Sequence, residues 1–448
     1  MAEMVPLQDG DETKVEASPT KRFFVDIITR DILIGEAIQD LIDNCIDGAK
    51  RLRPSAGERY DGLEVSITAT KEAFELSDNC GGIPLVVAQK YAFRFGRAEG
   101  FDETEGSVGQ FGVGMKRALF KLGRHFSVLS RTIDSSFEIS VDVDAWVKDD
   151  INWDFNLSNL NKTPIPLEET GTTLRVWDLD AGVVELFSKA NFVSALKDEI
   201  RVRQQDAMSR GLRFNVNDEA IIPLDWELLS SGDALAPANM RYNENIGGTA
   251  PLTMRIYAGV GSSSPAHAGW YIFCNGRCIL EADQSEVTGW AESSGGVAIP
   301  KYHGQFARFR GYAFLDSRDA SLLPWNTTKT GIDLEADAYR RLKPKLIEAT
   351  RPVIDFLNAL DGENELDEKD RVLTEVVKKA TYVSLESLPE RIVFTSRPPG
   401  EKAPTLTRIS YHKPKAQVEA LAEVFGVRKP KEVGELAFDY AFSEQVGG

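Results

Sequence analysis

Four polar residues in the run "GEAIQDLIDNCIDGAK", Gly35 to Lys50, could work on one substrate: Glu36, Asp40, Asn44 and Asp47. Read as a helix, their steps of four, four and three put them on one face. Ile34, Ala37, Ile38, Leu41, Ile42, Cys45 and Ala49 fill most of the remainder. Alone, such a stripe reads as the wet side of an amphipathic helix. Three later stretches change its weight. "LSDNCGGIP", Leu76 to Pro84, closes a predicted strand, and "GQFGVGMK", Gly109 to Lys116, is a glycine loop opening a predicted helix. A weaker fourth stretch, "ETGTTLRV", carries Thr172 into a strand. Each has an ordinary reading as a turn or strand entrance; their ordered combination in one domain suits nucleotide contact.

The chemistry follows from the residue types. A glycine loop before a helix lets backbone N–H groups approach phosphates, and the helix N-terminus favours anions. A buried Asp can accept a hydrogen bond from the amine of adenine, and adjacent glycines let the base approach the backbone. A triphosphate brings Mg²⁺, a hard ion that takes few protein oxygens, and a side-chain amide on a helix can supply one. A carboxylate one turn away can orient or deprotonate the attacking water. The spacing GxxxxGK[ST] is absent, which excludes a P-loop. The early acidic helix also breaks the strand–glycine–helix order of a Rossmann unit.

The elements that must position these residues can be read in outline. Ser18-Pro19 opens a helix over "TKRFFVDIITRD", and the acidic helix follows to about Arg53. "LEVSITAT", "AFELSDN", "HFSVLSRT", "SFEISVDVDAW" and "GTTLRVWDLD" read as strands, and "LVVAQKYAFRFG" and "MKRALFKLG" as helices. This predicts an α+β class: helices on one face of a mixed, mostly antiparallel sheet. A helical stretch, "KANFVSALKDEIRVRQQDAMSRG", leads to a second α/β unit, in which Asn275-Gly276 between apolar flanks signals a hairpin. That unit closes with the helix "LEADAYRRLKPKLIEATRPVIDFLNAL". A short strand, "RIVFTS", and a final helical segment follow. The expected division is a flexible leader over 1–17, a nucleotide-binding domain over 18–200, a second domain over 201–362 and a mainly helical module over 363–448.

The bulk numbers agree with a globular chain. It has 448 residues, 42% of them hydrophobic and 27% charged, with a net charge of -17. That charge argues against non-specific nucleic-acid binding as the dominant activity. No apolar run reaches a membrane span, and the acidic, polar N-terminus is unlike a signal peptide, so a cytoplasmic setting is expected. Cys45, Cys80, Cys274 and Cys278 form no CxxC pair and read as reduced thiols.

"DLIDNCIDGA", "DNCGGIP", "GQFGVGMK" and "GTTL" resemble the N, G1, G2 and G3 boxes of the GHKL ATPases, the superfamily of gyrase, heat-shock chaperones, histidine kinases and MutL. "GQFGVG" is like the chaperone form, and "LIDNCIDGA" is nearer the MORC and MutL-like branch. "GWYIFCNGRCIL" and "PWNTTKTGID" look like a transducer-domain strand pair and the loop that brings a lysine to the γ-phosphate. The resemblance implies a Bergerat-type ATP-binding sandwich followed by a transducer-like domain. It implies Asn44 as the Mg²⁺ ligand, Asp78 as the adenine-binding carboxylate and Gly82 in the base pocket. Asp47 joins the ATP-contacting residues. Gly109, Phe111, Gly112, Val113 and Gly114 would hold phosphates, with "RAEGFDETEGSV" as the ATP lid. Thr172 would support Asp78 through a water, Lys116 would reach a phosphate or lie on the surface, and Lys329 would be the transducer lysine. Two positions depart from the pattern. Cys80 stands where the boxes have glycine, and Asp40 stands for the usual glutamate, shorter by about 1.5 Å of reach. Glu36 is a poorer candidate base, about 11–12 Å along the axis from Asn44.

The expected function is a Mg-ATP-dependent ATPase whose lid closure and homodimerisation serve a DNA-linked or defence-related complex. The alternatives are an ATP-gated clamp with little hydrolysis and a heat-shock-type chaperone. The stretch after about residue 365 is short for client binding, and no histidine sits where a histidine kinase needs one. Basic residues Arg408, His412, Lys413, Lys415, Arg428, Lys429 and Lys431 leave room for DNA or a protein partner at the C-terminal module.

Overall fold

The computed structural model describes residues 17–55, 58–96, 108, 112–149, 151–294, 297–326, 328–396, 409 and 412–445. Most of the expected leader and lid, with Gly109, Phe111 and Arg408, lies outside the described residues. The chain divides into two compact units, Met1–Pro399 and Gly400–Gly448.

The larger unit opens with helices α1 (Lys21–Arg30) and α2 (Ile34–Leu52). Thr20 caps α1 by accepting the Phe23 N–H. Glu36 accepts the Leu33 N–H at 3.2 Å, so this acid caps α2 rather than facing a ligand. Lys50 and Arg51 in its last turn suit the helix dipole.

The apolar positions of α2 (Ala37, Ile38, Leu41, Ile42, Cys45, Ile46 and Ala49) are all buried. They share one core with Val65, Ile67, Phe74, Leu76, Leu174 and Val176 of the sheet. Each large aliphatic side chain so buried contributes about 1.5–3 kcal/mol. The sheet comprises β1 (Glu64–Ala69), β2 (Ala73–Asp78), β3 (Gly123–Arg131), β4 (Ser136–Asp142), β5 (Leu157–Asn161), β6 (Gly171–Leu179), β7 (Arg213–Val216) and β8 (Glu219–Ala220). Its order is β5-β4-β3-β6-β2-β1-β7-β8. Among the described pairings of this sheet only β1–β7 is parallel. This is the expected mixed, mostly antiparallel α/β sandwich. The sheet runs on past residue 200, because β7 covers the edge of β1.

Local chemistry explains the departures from the sequence reading. The run "SFEISVDVDAW" stops being a strand at Asp142, whose carboxylate accepts the Ala145 N–H at 2.9 Å and caps the helix Val143–Lys148. The stretch "LVVAQKYAFRFG" begins as α3 (Leu85–Val87) and widens into a π turn over Ala88–Ala92. The helix after the glycine loop is α4 (Gly114–Leu122).

The second sheet is built from Ala238–Glu244, Leu252–Val260, Phe309–Asp316, Gly269–Cys274 and Arg277–Asp283, in that spatial order. Helix Asp337–Gly362 shares its core, and Thr350 accepts the indole N–H of buried Trp270 at 3.1 Å. Of "RIVFTS" only Thr395–Ser396 pairs as strand, against Leu235–Ala236. The described residues of the smaller unit form two helices, Lys415–Phe425 and Pro430–Gln445, with Gly426 in the left-handed region after the first. Among the described residues no helix is long and apolar enough to cross a membrane. All four cysteines are buried free thiols.

Candidate nucleotide-binding site

Helix α2, the turn after β2, the start of β6 and α4 meet in one narrow cleft of about 30 Å³. Asn44, Asp78, Gly82 and Thr172 line it together, with Cys45, Arg51 and Cys80 beside them.

Asp78 ends β2 with its carboxylate tied to the turn that follows. Its Oδ1 accepts the Cys80 N–H at 2.8 Å and the Thr172 N–H at 3.3 Å. Thr172 thus meets Asp78 directly through its main-chain N–H, and β2 and β6 pair Asp78 with Thr172. Burial raises the Asp78 pKa, opposed by those two N–H groups, the Cys45 thiol and Arg51.

Gly82 has φ +71, and a Cβ there would meet the Arg131 carbonyl oxygen at 2.3 Å, so this position demands glycine. The positive φ values of the turn fall on Gly81 and Gly82, not on Cys80. Cys80 fits without left-handed strain. Across from it, α2 carries Gly48, where a Cβ would lie 2.7 Å from the Cys80 carbonyl oxygen.

Asn44 is exposed, and its Nδ2 donates to the Asp40 carbonyl at 2.9 Å. That leaves the amide oxygen as the atom that would be offered to a hard cation such as Mg²⁺. Asp47 is buried, and its Oδ1 accepts the Val108 N–H at 2.8 Å. Val108 is the one described residue of the expected lid.

Gly112 (φ +67) and Val113 lead into α4. Gly114 starts it, and a Cβ there would sit 3.1 Å from the Asp40 carboxyl carbon. Asp40 thus lies against an anion-favouring helix N-terminus. Its Oδ2 accepts from Arg117 Nε at 3.1 Å and Nη2 at 2.5 Å. Lys116 does not lie on the surface. Its ammonium is buried and donates to the carbonyls of Ala92 (2.8 Å), Arg94 (2.6 Å) and Gly112 (2.5 Å). The side chain runs back beside its own first turn, where these carbonyls satisfy all three N–H donors. Burial pulls its pKa down to about 7.

Lys329 arrives from the second half of the larger unit. Its backbone is left-handed, φ +56, and its Nζ lies 2.7 Å from Asp43 Oδ2 and 3.6 Å from Asp40 Oδ1. Burial raises the Asp43 pKa, but Arg277 and Lys329 outweigh it and hold the carboxyl below its usual value. Asp43, Arg117 and Arg277 escaped the sequence reading. Arg117 had a usable signal, since it follows Gly114 by three residues on the helix that the glycine loop opens.

The fold is an α/β sandwich of helices on a mixed, mostly antiparallel sheet, consistent with a GHKL ATP-binding domain. Residues 33–171 match a family model described as "Histidine kinase-, DNA gyrase B-, and HSP90-like ATPase". The segment from α2 to the first residue of β6 is thus an ATP-binding domain of the GHKL superfamily. No curated protein matches the chain.

Proposed function

We propose that this protein is a Mg-ATP-dependent ATPase in which the second half of the larger unit completes the site. The observation that carries this reading is Lys329, buried against Asp43 and Asp40 one turn or less from Asn44. Asp78 takes the adenine amine, Gly82 admits the base, and the Gly112–Gly114 turn presents N–H groups to the phosphates. Asn44 holds Mg²⁺, which when bound neutralises phosphate charge. Lys329 moves from its two carboxylates to the γ-phosphate, and Asp40, freed of that cation, orients the attacking water.

The test is turnover by the full chain, with Asp40→Asn and Asn44→Ala beside the wild type. Undiminished activity in both variants overturns the assignment.

One observation favours a second reading, an ATP-gated clamp that hardly hydrolyses. Asp40 is held by both Nε and Nη2 of Arg117, so its Oδ2 is already engaged and less open to an attacking water. Light scattering with a non-hydrolysable analogue separates the two: dimerisation without measurable turnover favours the clamp. The MORC-like and MutL-like character of "LIDNCIDGA" supports lid closure, homodimerisation and a cytoplasmic, DNA-linked or defence-related setting, more than it supports a chaperone. Salt-dependent DNA binding with and without ATP, including a chain lacking the C-terminal helices, tests that setting.

A further inference from the structure

Arg277 lies just past the Asn275-Gly276 turn and is 2% exposed. Its Nη1 donates to Gln39 Oε1 at 2.8 Å and lies 3.4 Å from Asp43 Oδ1. Gln39 and Asp43 are themselves buried, on the side of α2 that faces the second half of the unit. Gln204 Nε2 joins them, at 2.9 Å from Gln39 Oε1 and 3.1 Å from Asp43 Oδ1.

The two oxygens of Asp43 are thus divided. Oδ1 serves Arg277 and Gln204, and Oδ2 serves Lys329. The turn that precedes Arg277 is held at Asn275: Lys50 Nζ donates to the Asn275 carbonyl at 3.1 Å, and Asn275 Oδ1 accepts the Ser317 N–H at 2.9 Å.

A buried carboxylate stripped of its cation is costly. If Lys329 were the sole partner of Asp43, leaving for a phosphate would strand that charge. With Arg277 in place it does not. We propose that Arg277 is a positioning residue for the reaction: through Asp43 it sets the place from which Lys329 is delivered, and it keeps Asp43 paired once Lys329 has gone. This rests on the ATPase reading of the same site.

The experiment is steady-state ATPase kinetics of the full chain for wild type, Arg277→Met, Arg277→Lys, Lys329→Met and the Arg277→Met/Lys329→Met double variant. Arg277→Met lowers kcat by roughly ten- to a hundredfold, less than loss of a direct transition-state donor, while KM for ATP moves less than about twofold. Arg277→Lys recovers part of kcat, because its ammonium keeps a positive charge beside Asp43 but lacks the reach and fixed plane of the guanidinium. On the Lys329→Met background, Arg277→Met adds less than about twofold.

A full additional loss on that background overturns the proposal, as does a kcat unchanged while only thermal stability falls. If Arg277→Met fails to fold, Arg277→Lys decides: a lowered kcat at constant KM supports the role, and wild-type kcat or a proportionate rise in KM overturns it. Wild-type protein without turnover removes the ATPase reading itself, and the proposal with it. Wild-type turnover with additive effects removes the proposal alone.

Discussion

The ammonium of Lys329 bridges two carboxylates of one helix, 2.7 Å from Asp43 and 3.6 Å from Asp40. The lysine and both acids are buried. The contact joins the loop after the second sheet to the helix that carries Asn44, and it is made from a backbone with φ +56. A left-handed conformation costs a residue with a side chain about 1–2 kcal/mol, and such strain collects at positions where the surrounding structure over-determines it.

Replacing Lys329 by Met separates its two roles. Asp40 keeps Arg117, and Asp43 keeps Arg277 and Gln204. The stability loss should therefore stay below the ~3–5 kcal/mol of an uncompensated buried charge. Turnover should fall by about 10²-fold or more, as for loss of a direct charge-stabilising donor. Denaturant unfolding and ATPase assays on one preparation measure both. Normal turnover in a destabilised variant would mean that Lys329 only fastens the two halves together.

Asn44→Ala is expected to do the reverse. The side chain is exposed, so stability should move within about 0.5 kcal/mol. Affinity for Mg-ATP should drop at least about tenfold, or roughly 1.4 kcal/mol, and affinity for ATP in chelator should change less. Isothermal calorimetry in the two buffers reads the difference. Equal losses with and without magnesium would remove Asn44 as the cation's ligand.

Lys116 gives a pH signature. Burial brings its pKa down from 10.5 to about 7. Below about pH 7 the folded and unfolded chains both carry the proton, and the whole burial cost is present. From about pH 7 to 10 the folded chain has released a proton that the unfolded chain still holds, so unfolding takes one up and stability rises with pH. Lys116→Met lacks this rise. Denaturation midpoints at about pH 6, 8 and 9.5 should show the wild type gaining on the variant as pH increases. A constant difference would mean that the three carbonyls keep the ammonium charged throughout.

Much of this site was legible because its signals are local. The period of α2, the Asp78–Gly82 turn, the loop opening α4 and the Asn275-Gly276 hairpin each depend on residues close in sequence. The functions of individual polar side chains were not legible in the same way. Asp40 and Arg117 are 77 residues apart, and Gln39 and Arg277 are 238 apart. No periodicity encodes such partners. Nor does the stripe's spacing say what each acid meets: Glu36 caps the helix and Asp47 accepts the Val108 N–H, while the off-stripe Asp43 receives both cations from the second half.

The turn after Asp78 separates a required glycine from a replaceable one. Gly82 sits at φ +71, and a methyl group there would press to 2.3 Å on the Arg131 carbonyl. Ser130 Oγ pins the adjacent strand by accepting the Ile83 N–H at 2.7 Å and donating to the Ile83 carbonyl at 3.1 Å, so the turn cannot step aside. Gly82→Ala should cost roughly 2–3 kcal/mol or more, through backbone strain and overpacking, and should abolish ATP binding as the base pocket narrows. Cys80→Gly restores the glycine of the resembling boxes, yet it should not stabilise. Its backbone has no positive φ to relieve, and its buried side chain packs beside Gly48. The expected change is a loss of about 1–2 kcal/mol from added chain entropy and a small cavity, with ATP still bound. Thermal unfolding and nucleotide titration of the two variants check this. A stabilised Cys80→Gly would show that the thiol at this position strains the turn.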